Sequence, residues 1–481
     1  MLAGPAHSHH GQKTCMNDRI RLRSGESLSR TIADYDRSRP KIAARTLRAV
    51  CYAPFLSMDF DATGAVRLCN HSHSMVAQMA PDTSVIDVWR GEVYKRYRSE
   101  FSSYVFDEVN CQHCVRQCTA GSGSHVFAVE QFDPGANDER QPAYPKRLIF
   151  RLNSTCNLAC IMCDGMTSSR IRKERDKLPP TPSMYGERFF KDMEEILPHV
   201  EHIEFYGGEP FLVKEHTRIF EIMDQVKAKC TIYVNTNSVS LYPKAKHFLE
   251  TLNFKTIAIS MDAVDPELHG EIRTGLRSNL FFGNVDYFLD LRRRRPGFEV
   301  MLNVTEHRKN WFELPEIFRF AERKKIFLHI NTCIHPHNVT LYTLPADQLR
   351  YVLGYLEQQR KELLSEFPKL SNLGNYDFLL SLIQSELDSR KPDWQPQNYN
   401  LNLATDGLLA APRPGVAPLD TPEKVLREAE RIVRLLDRKS ATRMLNEMAT
   451  RVQSYPGSAT RDAVHQRILH LLGTLASPAT R

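Results

Sequence analysis

No stretch of these 481 residues is apolar for anything like the ~20 residues that a membrane-spanning helix needs, so no membrane partner is expected. The polar opening MLAGPAHSHHGQKTC lacks a secretory core, and the expected compartment is the cytoplasm. A strong charge of one sign is also missing. Against 57 Asp and Glu stand 64 Lys and Arg, and the resulting +7 falls short of the charge density of a dedicated nucleic-acid binder. Charge alone therefore names no nucleic acid as a partner. Hydrophobic residues, at 42%, suffice to bury the cores of about three units of ~150 residues. Cysteine is not scarce. Eleven in a long chain of that compartment argue against disulfides and for metal ligation, catalysis or burial.

Eight of the eleven cysteines lie between positions 51 and 163, a crowding that favours soft-metal sites over core packing. The tightest group is Cys156, Cys160 and Cys163, a C-x3-C-x2-C run directly after the apolar stretch Leu148 to Leu152. A cube of four irons takes four ligands, so three close thiolates leave one iron open, and an open position marks a catalytic rather than a structural metal site. A zinc knuckle is the alternative, but it would need a fourth Cys or His, and His202 and Cys230 are far along the chain.

Some fifty residues on, the apolar stretch Ile203 to Tyr206 runs into Gly207-Gly208-Glu209-Pro210. Together with the three cysteines this resembles the radical S-adenosylmethionine (SAM) superfamily. The resemblance implies a [4Fe-4S] cluster on Cys156, Cys160 and Cys163, with SAM on the open iron and the GGEP loop offering backbone groups to its amine. Glycines suit a loop where backbone closely approaches a ligand. It further implies reductive cleavage of SAM to methionine and a 5′-deoxyadenosyl radical that takes a hydrogen atom from substrate, with a flavodoxin- or ferredoxin-type electron donor. Met162 stands where the family commonly has an aromatic residue near the adenine.

From residue 147 apolar strands alternate with amphipathic stretches: Arg147 to Asn153, His202 to Tyr206, Thr231 to Asn235, Thr256 to Ser260, Glu299 to Val304 and Ile326 to Ile330. Repeated βα units give a parallel sheet. The fold class expected is α/β, a partial (β/α)6 radical SAM barrel preceded by a small cysteine-rich α+β hairpin module and followed by a helical C-terminal region. Ligands of such barrels sit at the carboxyl ends of the strands. Candidates there are Asn237, Ser260, Asp262 and Asn303. Ser260 followed by Arg273 looks like the family's arrangement for the SAM carboxylate, and Asp262 or Asn237 suits ribose hydroxyls. Each of these residues also suits a helix cap or strand-end turn.

Upstream stand Cys51, a hairpin pattern over Phe60 to Leu68 around Gly64, Cys69, and the pair Cys111 and Cys114, with Cys118 close behind. This resembles the opening of the SPASM and twitch auxiliary-cluster modules of radical SAM enzymes, although those usually follow the barrel. It implies a second [4Fe-4S] cluster on Cys51, Cys69, Cys111 and Cys114, with Cys118 as substitute or bystander. Four thiolates satisfy structural zinc equally.

The expected domains are a tail at 1–44, the auxiliary module at 45–140, the barrel at 141–340, and helices over 341–481 with a proline-rich linker at 391–420. Helices are expected from Pro345, over Tyr376 to Leu387, from Thr421 and over Arg461 to Leu475. His7, His9 and His10 read as a polar tail, Arg292 to Arg295 as a solvated helix end, and Cys230 and Cys333 as buried thiols. The expected function is a radical SAM oxidoreductase acting on a peptide or natural-product substrate. The alternatives are an RNA-modifying enzyme of the same chemistry and a non-catalytic zinc or iron-sulfur protein.

Overall fold

The computed structural model describes residues 47–72, 75–103, 111, 114, 132–390, 445 and 459–476. The chain divides into two compact units, Met1–Gln395 and Pro396–Arg481. The first carries a nine-stranded sheet. Its cysteine-rich start supplies β1 (Ser57–Phe60), β2 (Ala65–Arg67) and β3 (Ala77–Gln78). The expected strand after residue 147 is β4 (Arg147–Phe150), and the short β5 (Ala159–Cys160) lies in the loop that follows. Then come β6 (His202–Phe205), β7 (Thr231–Thr236), β8 (Phe254–Ser260), the short β9 (Arg273–Thr274), β10 (Glu299–Glu306) and β11 (Phe327–Thr332).

The six expected strands lie side by side in sequence order, β4-β6-β7-β8-β10-β11, and every neighbouring pair is parallel. Parallel neighbours require a crossover, and helices provide it: Lys214–Gln225 between β6 and β7, Pro243–Thr251 between β7 and β8, and Leu314–Lys324 between β10 and β11. The last buries Leu314, Ile317, Phe318 and Ala321 at helical spacing and stops at Lys325, which adopts a left-handed φ of 51°.

Alternation along the strands sorts the two faces. In β10, Val300, Leu302 and Val304 are buried while Met301, Asn303 and Thr305 are half-buried. In β7, Ile232 and Val234 are buried while Tyr233 and Asn235 are half-buried. One face thus packs into the aromatic core, where Phe205 lies 5.5 Å from Phe150 and 4.6 Å from Phe220. The other face is a polar floor.

The hairpin around Gly64 forms as expected, with Gly64 at φ +83° and its N–H donating to Asp61 O at 2.9 Å. It is not a separate module in front of the sheet. β1 pairs parallel with β4, from Ser57 opposite Arg147 to Phe60 opposite Phe150. All four β1 residues are buried, so both edges of this strand need partners, and β2 and β4 supply them. Asp192 fastens the same segment from the other side: its Oδ2 accepts from Ser84 Oγ at 2.8 Å and from Val85 N at 2.7 Å.

The helices Ala346–Glu366 and Leu373–Ser389 belong to the first unit, which ends at Gln395 rather than near 340. Asn372 accepts from Leu328 N at 2.8 Å and donates to Ile326 O at 3.1 Å, tying them to β11. In the second unit the expected last helix runs over Ala459–Ala476, with Ile468 buried. No helix among the described residues is long and apolar enough to cross a membrane. The tail 1–44 with its histidines, Cys118, the linker 391–420 and the helix from Thr421 lie outside the described residues.

Candidate metal and cofactor site

β4 delivers the chain into the loop of Cys156, Cys160 and Cys163, whose thiols are all free. Local hydrogen bonds shape this loop. Cys156 N donates to Ser169 Oγ at 3.1 Å, Ser168 Oγ donates to Leu158 O at 2.7 Å, and Cys163 N donates to Cys160 O at 3.1 Å. β5 pairs antiparallel with β9, which places Cys160 opposite Arg273, and Ile161 N donates to Ile272 O at 2.9 Å.

Two side chains reach ligand-type sulfurs. Arg273 Nη1 lies 3.7 Å from Cys160 Sγ, and its Nε donates to Asp262 Oδ2 at 2.7 Å. Asn237 Nδ2 lies 3.9 Å from Cys156 Sγ and donates to Asn157 Oδ1 at 2.8 Å. Burial opposes the charge of Arg273, but Asp262 and the thiols of Cys160 and Cys163 outweigh it and hold the guanidinium firmly cationic. The hydrogen bond with Cys163 lowers the Cys160 thiol against burial, with Arg273 adding to the effect, and raises Cys163 in return. Burial pushes Cys156 up to about 12.

The GGEP loop lies directly behind the cysteine loop. Gly207 has a φ of +93°, which favours glycine, and a Cβ on Gly208 would stand 2.1 Å from Thr155 O. Glu209 N donates to Thr155 O at 2.7 Å. The Glu209 side chain does not face a ligand space: Oε1 accepts from Thr236 Oγ1 and Oε2 from Asn237 N, both at 2.7 Å. Burial pushes this carboxyl up to about 7 against those hydrogen bonds. Pro210 is buried beside it. Glu209 therefore anchors the end of β7 and so positions Asn237.

Ser260 and Arg273 part company. Ser260 Oγ lies 3.3 Å from Asn235 Oδ1, to which Asn303 Nδ2 also donates at 3.3 Å, and Asn331 donates to Asn303 in turn. These four residues form a polar ladder across β7, β8, β10 and β11. Asp262 is fully buried and committed on both oxygens, with Oδ1 accepting from Thr305 N at 2.8 Å, so it serves Arg273 rather than standing free for ribose hydroxyls.

Beyond the cysteine loop, Arg151 Nη1 makes a two-oxygen contact with the buried Asp59, at 2.7 and 2.8 Å, across the β1–β4 pair. Tyr206 OH donates to Glu204 at 2.6 Å, and Glu204 also pairs with Arg147. At the base of the hairpin, the raised thiol of Cys51 reflects burial first and then the charges of Cys69, Cys114 and Cys111. Cys69 is likewise pushed up to about 11 by burial. Cys51 thus lies within electrostatic reach of the other three cysteines of the upstream set.

Both thiol sets suit soft metals in donor type, and the glycine cradle and sulfur-directed N–H donors suit a cluster at the first. Among the described residues no three His, Cys, Asp or Glu side chains stand close enough to cage a single ion. Cys230 and Cys333 are buried as expected. The arginines at 292–295 are not merely solvated: Arg292 donates to Lys325 O at 2.8 Å, Arg294 pairs with Glu250 at 3.0 Å and Arg295 donates to Leu252 O at 2.9 Å. The sequence reading missed Asn331, although it stands in the same alternating phase of its strand as Asn303 does. Nothing local marked Asp59, whose partner lies 92 residues away.

Residues 151–320 match the family model described as the radical SAM superfamily. The chain is 26% identical over 140 residues to a GTP 3′,8-cyclase of Clostridium botulinum, covering 28% of this chain and 41% of the relative. It is 28% identical over 182 residues to a GTP 3′,8-cyclase of Synechocystis, covering 37% of this chain and 51% of the relative. The chain thus spans about half or less of the length of these curated relatives. Among solved structures, it is similar to Streptococcus suis SuiB bound to S-adenosylmethionine, at 17% identity and TM-score 0.31, covering 50% of this chain and 51% of that one. TYW1 with a lysine-pyruvate adduct aligns at 16% identity and TM-score 0.27, covering 44% of this chain and 70% of the other.

Proposed function

We propose that this chain, which carries a radical SAM superfamily domain over residues 151–320, is a radical SAM oxidoreductase that modifies a peptide or natural-product substrate. The family match implies a [4Fe-4S] cluster and SAM. The observation that carries the reading is the packing of the three-thiol loop between the GGEP glycines on one side and the Arg273 strand on the other. In this reading Cys156, Cys160 and Cys163 hold the cluster. When bound, the cluster supplies an electron to SAM.

The chain's own residues hold and shield. Gly207 and Gly208 keep the loop backbone close to Ser154 and Thr155, which leaves no room for a side chain between the two loops. Glu209 fixes Asn237 beside Cys156. The ladder of Asn235, Ser260, Asn303 and Asn331 offers amide and hydroxyl groups from the polar floor for orienting SAM or substrate. Cys51, Cys69, Cys111 and Cys114 hold an auxiliary cluster; zinc, the alternative occupant of four thiolates, would need these side chains to draw closer together than they stand. The peptide or natural-product class rests on the likeness of this second set to SPASM and twitch modules.

A nucleotide substrate is the second reading, favoured by the curated relatives named GTP 3′,8-cyclase. Nucleic acid has less support, because Arg292, Arg294 and Arg295 are engaged within the fold. The test is anaerobic reconstitution with iron and sulfide, followed by dithionite and SAM. Release of 5′-deoxyadenosine by the wild type and its loss in Cys160→Ala are expected. A wild-type chain that takes up no iron and sulfide, or a Cys160→Ala chain with full turnover, overturns the reading. Adding GTP or a precursor peptide and following deuterium transfer into the nucleoside separates the two substrate classes.

A further inference from the structure

The guanidinium of Arg273 is turned onto a thiol and not out into the polar floor. Its backbone is fixed by the β5–β9 pair, which sets it opposite Cys160, and its side chain is only 10% exposed. Asp262 holds Nε at 2.7 Å and leaves Nη1 on Cys160 Sγ at 3.7 Å. Asp262 is itself braced, with Thr305 N on Oδ1 at 2.8 Å and Asn310 Nδ2 on its carbonyl at 3.0 Å. This is a built arrangement of three layers, in which β10 steadies Asp262, Asp262 steadies Arg273, and Arg273 faces sulfur.

We propose that Arg273, positioned by Asp262, sets the reduction potential of the cluster held by Cys156, Cys160 and Cys163. The inference rests on the reading of that loop as a cluster site. Reduction adds one electron, and the added negative charge spreads over the sulfurs. A cationic N–H donor against one of those sulfurs stabilises the reduced state more than the oxidised state, so it raises the potential. Burial removes the water that would otherwise screen the contact. The Asp262–Arg273 pair is neutral as a whole and presents its positive end to Cys160, so it adds little net charge to the buried site. Asn237 on Cys156, at 3.9 Å, is a neutral donor and the weaker of the two sulfur contacts. Arg273 is thus a positioning and tuning residue, distinct from the SAM-carboxylate role that its spacing from Ser260 implies.

The experiment uses the full chain, reconstituted anaerobically, with iron and sulfide counted and the potential read by dithionite titration followed by electron paramagnetic resonance without SAM. The cluster in question is recognised as the signal that changes shape when SAM is added afterwards. Arg273→Gln is expected to lower the reduced-to-oxidised ratio at a given potential about tenfold, a midpoint about 59 mV more negative for one electron. Arg273→Lys, which keeps the charge but loses the fork, is expected to fall between. A residue of purely structural importance would reduce loading and leave the potential of the loaded fraction unchanged, and that result overturns the proposal. So does failure of both variants to load iron when the wild type loads it. A wild type that takes up no iron and sulfide overturns the cluster reading itself, a different outcome from an unmoved potential.

Discussion

At the scale of single residues, the cysteine loop depends on an atom that is missing. A Cβ on Gly208 would meet Thr155 O at 2.1 Å, and that oxygen belongs to the backbone of the loop that carries Cys156, so it has no side-chain freedom to yield. Gly208→Ala is therefore expected to displace the loop and to abolish iron loading, read by iron and sulfide analysis. Gly283 is the control, because it is an exposed residue inside the helix Ser278–Arg294 with nothing within 4 Å of a built Cβ. Gly283→Ala is expected to leave loading unchanged and to stabilise the chain by up to about 1 kcal/mol in urea unfolding. Buried carboxyls make a second prediction. Burial pushes Glu306 from the ordinary 4.5 up to about 8, although Cys333 N donates to it. Below pH 4.5 the carboxyl is protonated in the native and unfolded states alike. Between 4.5 and about 8 the native state keeps a proton that the unfolded state releases, so stability falls as pH rises, by up to about 1.4 kcal/mol per unit. Above about 8 this group adds no further slope. Glu209 and Glu313, each pushed up to about 7, act in the same direction. Glu306→Gln is expected to lose less stability than the wild type between pH 6 and 8, measured by urea midpoints. An identical slope in both would remove this carboxyl from the account.

At the scale of elements, the strands that the sequence shows best are those whose alternation is strongest. All six parallel strands appear where the apolar runs stand, with some ends unchanged and the others moved by one to three residues because apolar pattern does not mark where pairing stops. Among the candidate residues, the three loop cysteines and the glycines were legible because spacing and conformational demand are local properties. The Asp262–Arg273 pair was not, since both residues fit several roles and only the β5–β9 pairing decides between them. Nor was the pairing of β1 with β4, which joins segments 90 residues apart by backbone hydrogen bonds that any sequence can make. Its side-chain counterpart is Asp192, which takes Ser84 Oγ and Val85 N on one oxygen and Arg188 Nε at 3.0 Å on the other. Ser84 is the N-cap of the helix Val85–Arg90, so the contact joins that helix start to the helix Glu187–Ile196. Arg188 is half-exposed and contributes little, whereas the buried donors would be left unpaired. Asp192→Ala is expected to cost about 1–3 kcal/mol in urea unfolding. Asp192→Asn keeps one acceptor and is expected to recover part of that loss.

At the scale of the whole molecule, the first unit holds two cysteine sets on one continuous sheet. The first set follows β4 and the second lies around β1 and β2, immediately beside it, so the upstream segment is built into the edge of the parallel sheet. Metal lost from Cys51, Cys69, Cys111 and Cys114 should consequently loosen the upstream edge first, and because Met58 and Phe60 share one continuous core with Phe150 and Phe205 the loss should also lower the stability of the sheet. Cys51→Ala tests this, since it removes one small buried side chain and costs little packing by itself. The wild type is expected to carry about eight irons and eight sulfides per chain, and Cys51→Ala about four of each. Cleavage of SAM should survive in the variant because its three thiols are untouched, while turnover of the substrate should fall. One zinc in place of the second four irons would assign the upstream thiols to structural metal, and they would then stiffen the sheet edge without taking part in electron transfer. Loss of all eight irons in Cys51→Ala would show that β1 supports the loop after β4 more closely than backbone pairing alone requires.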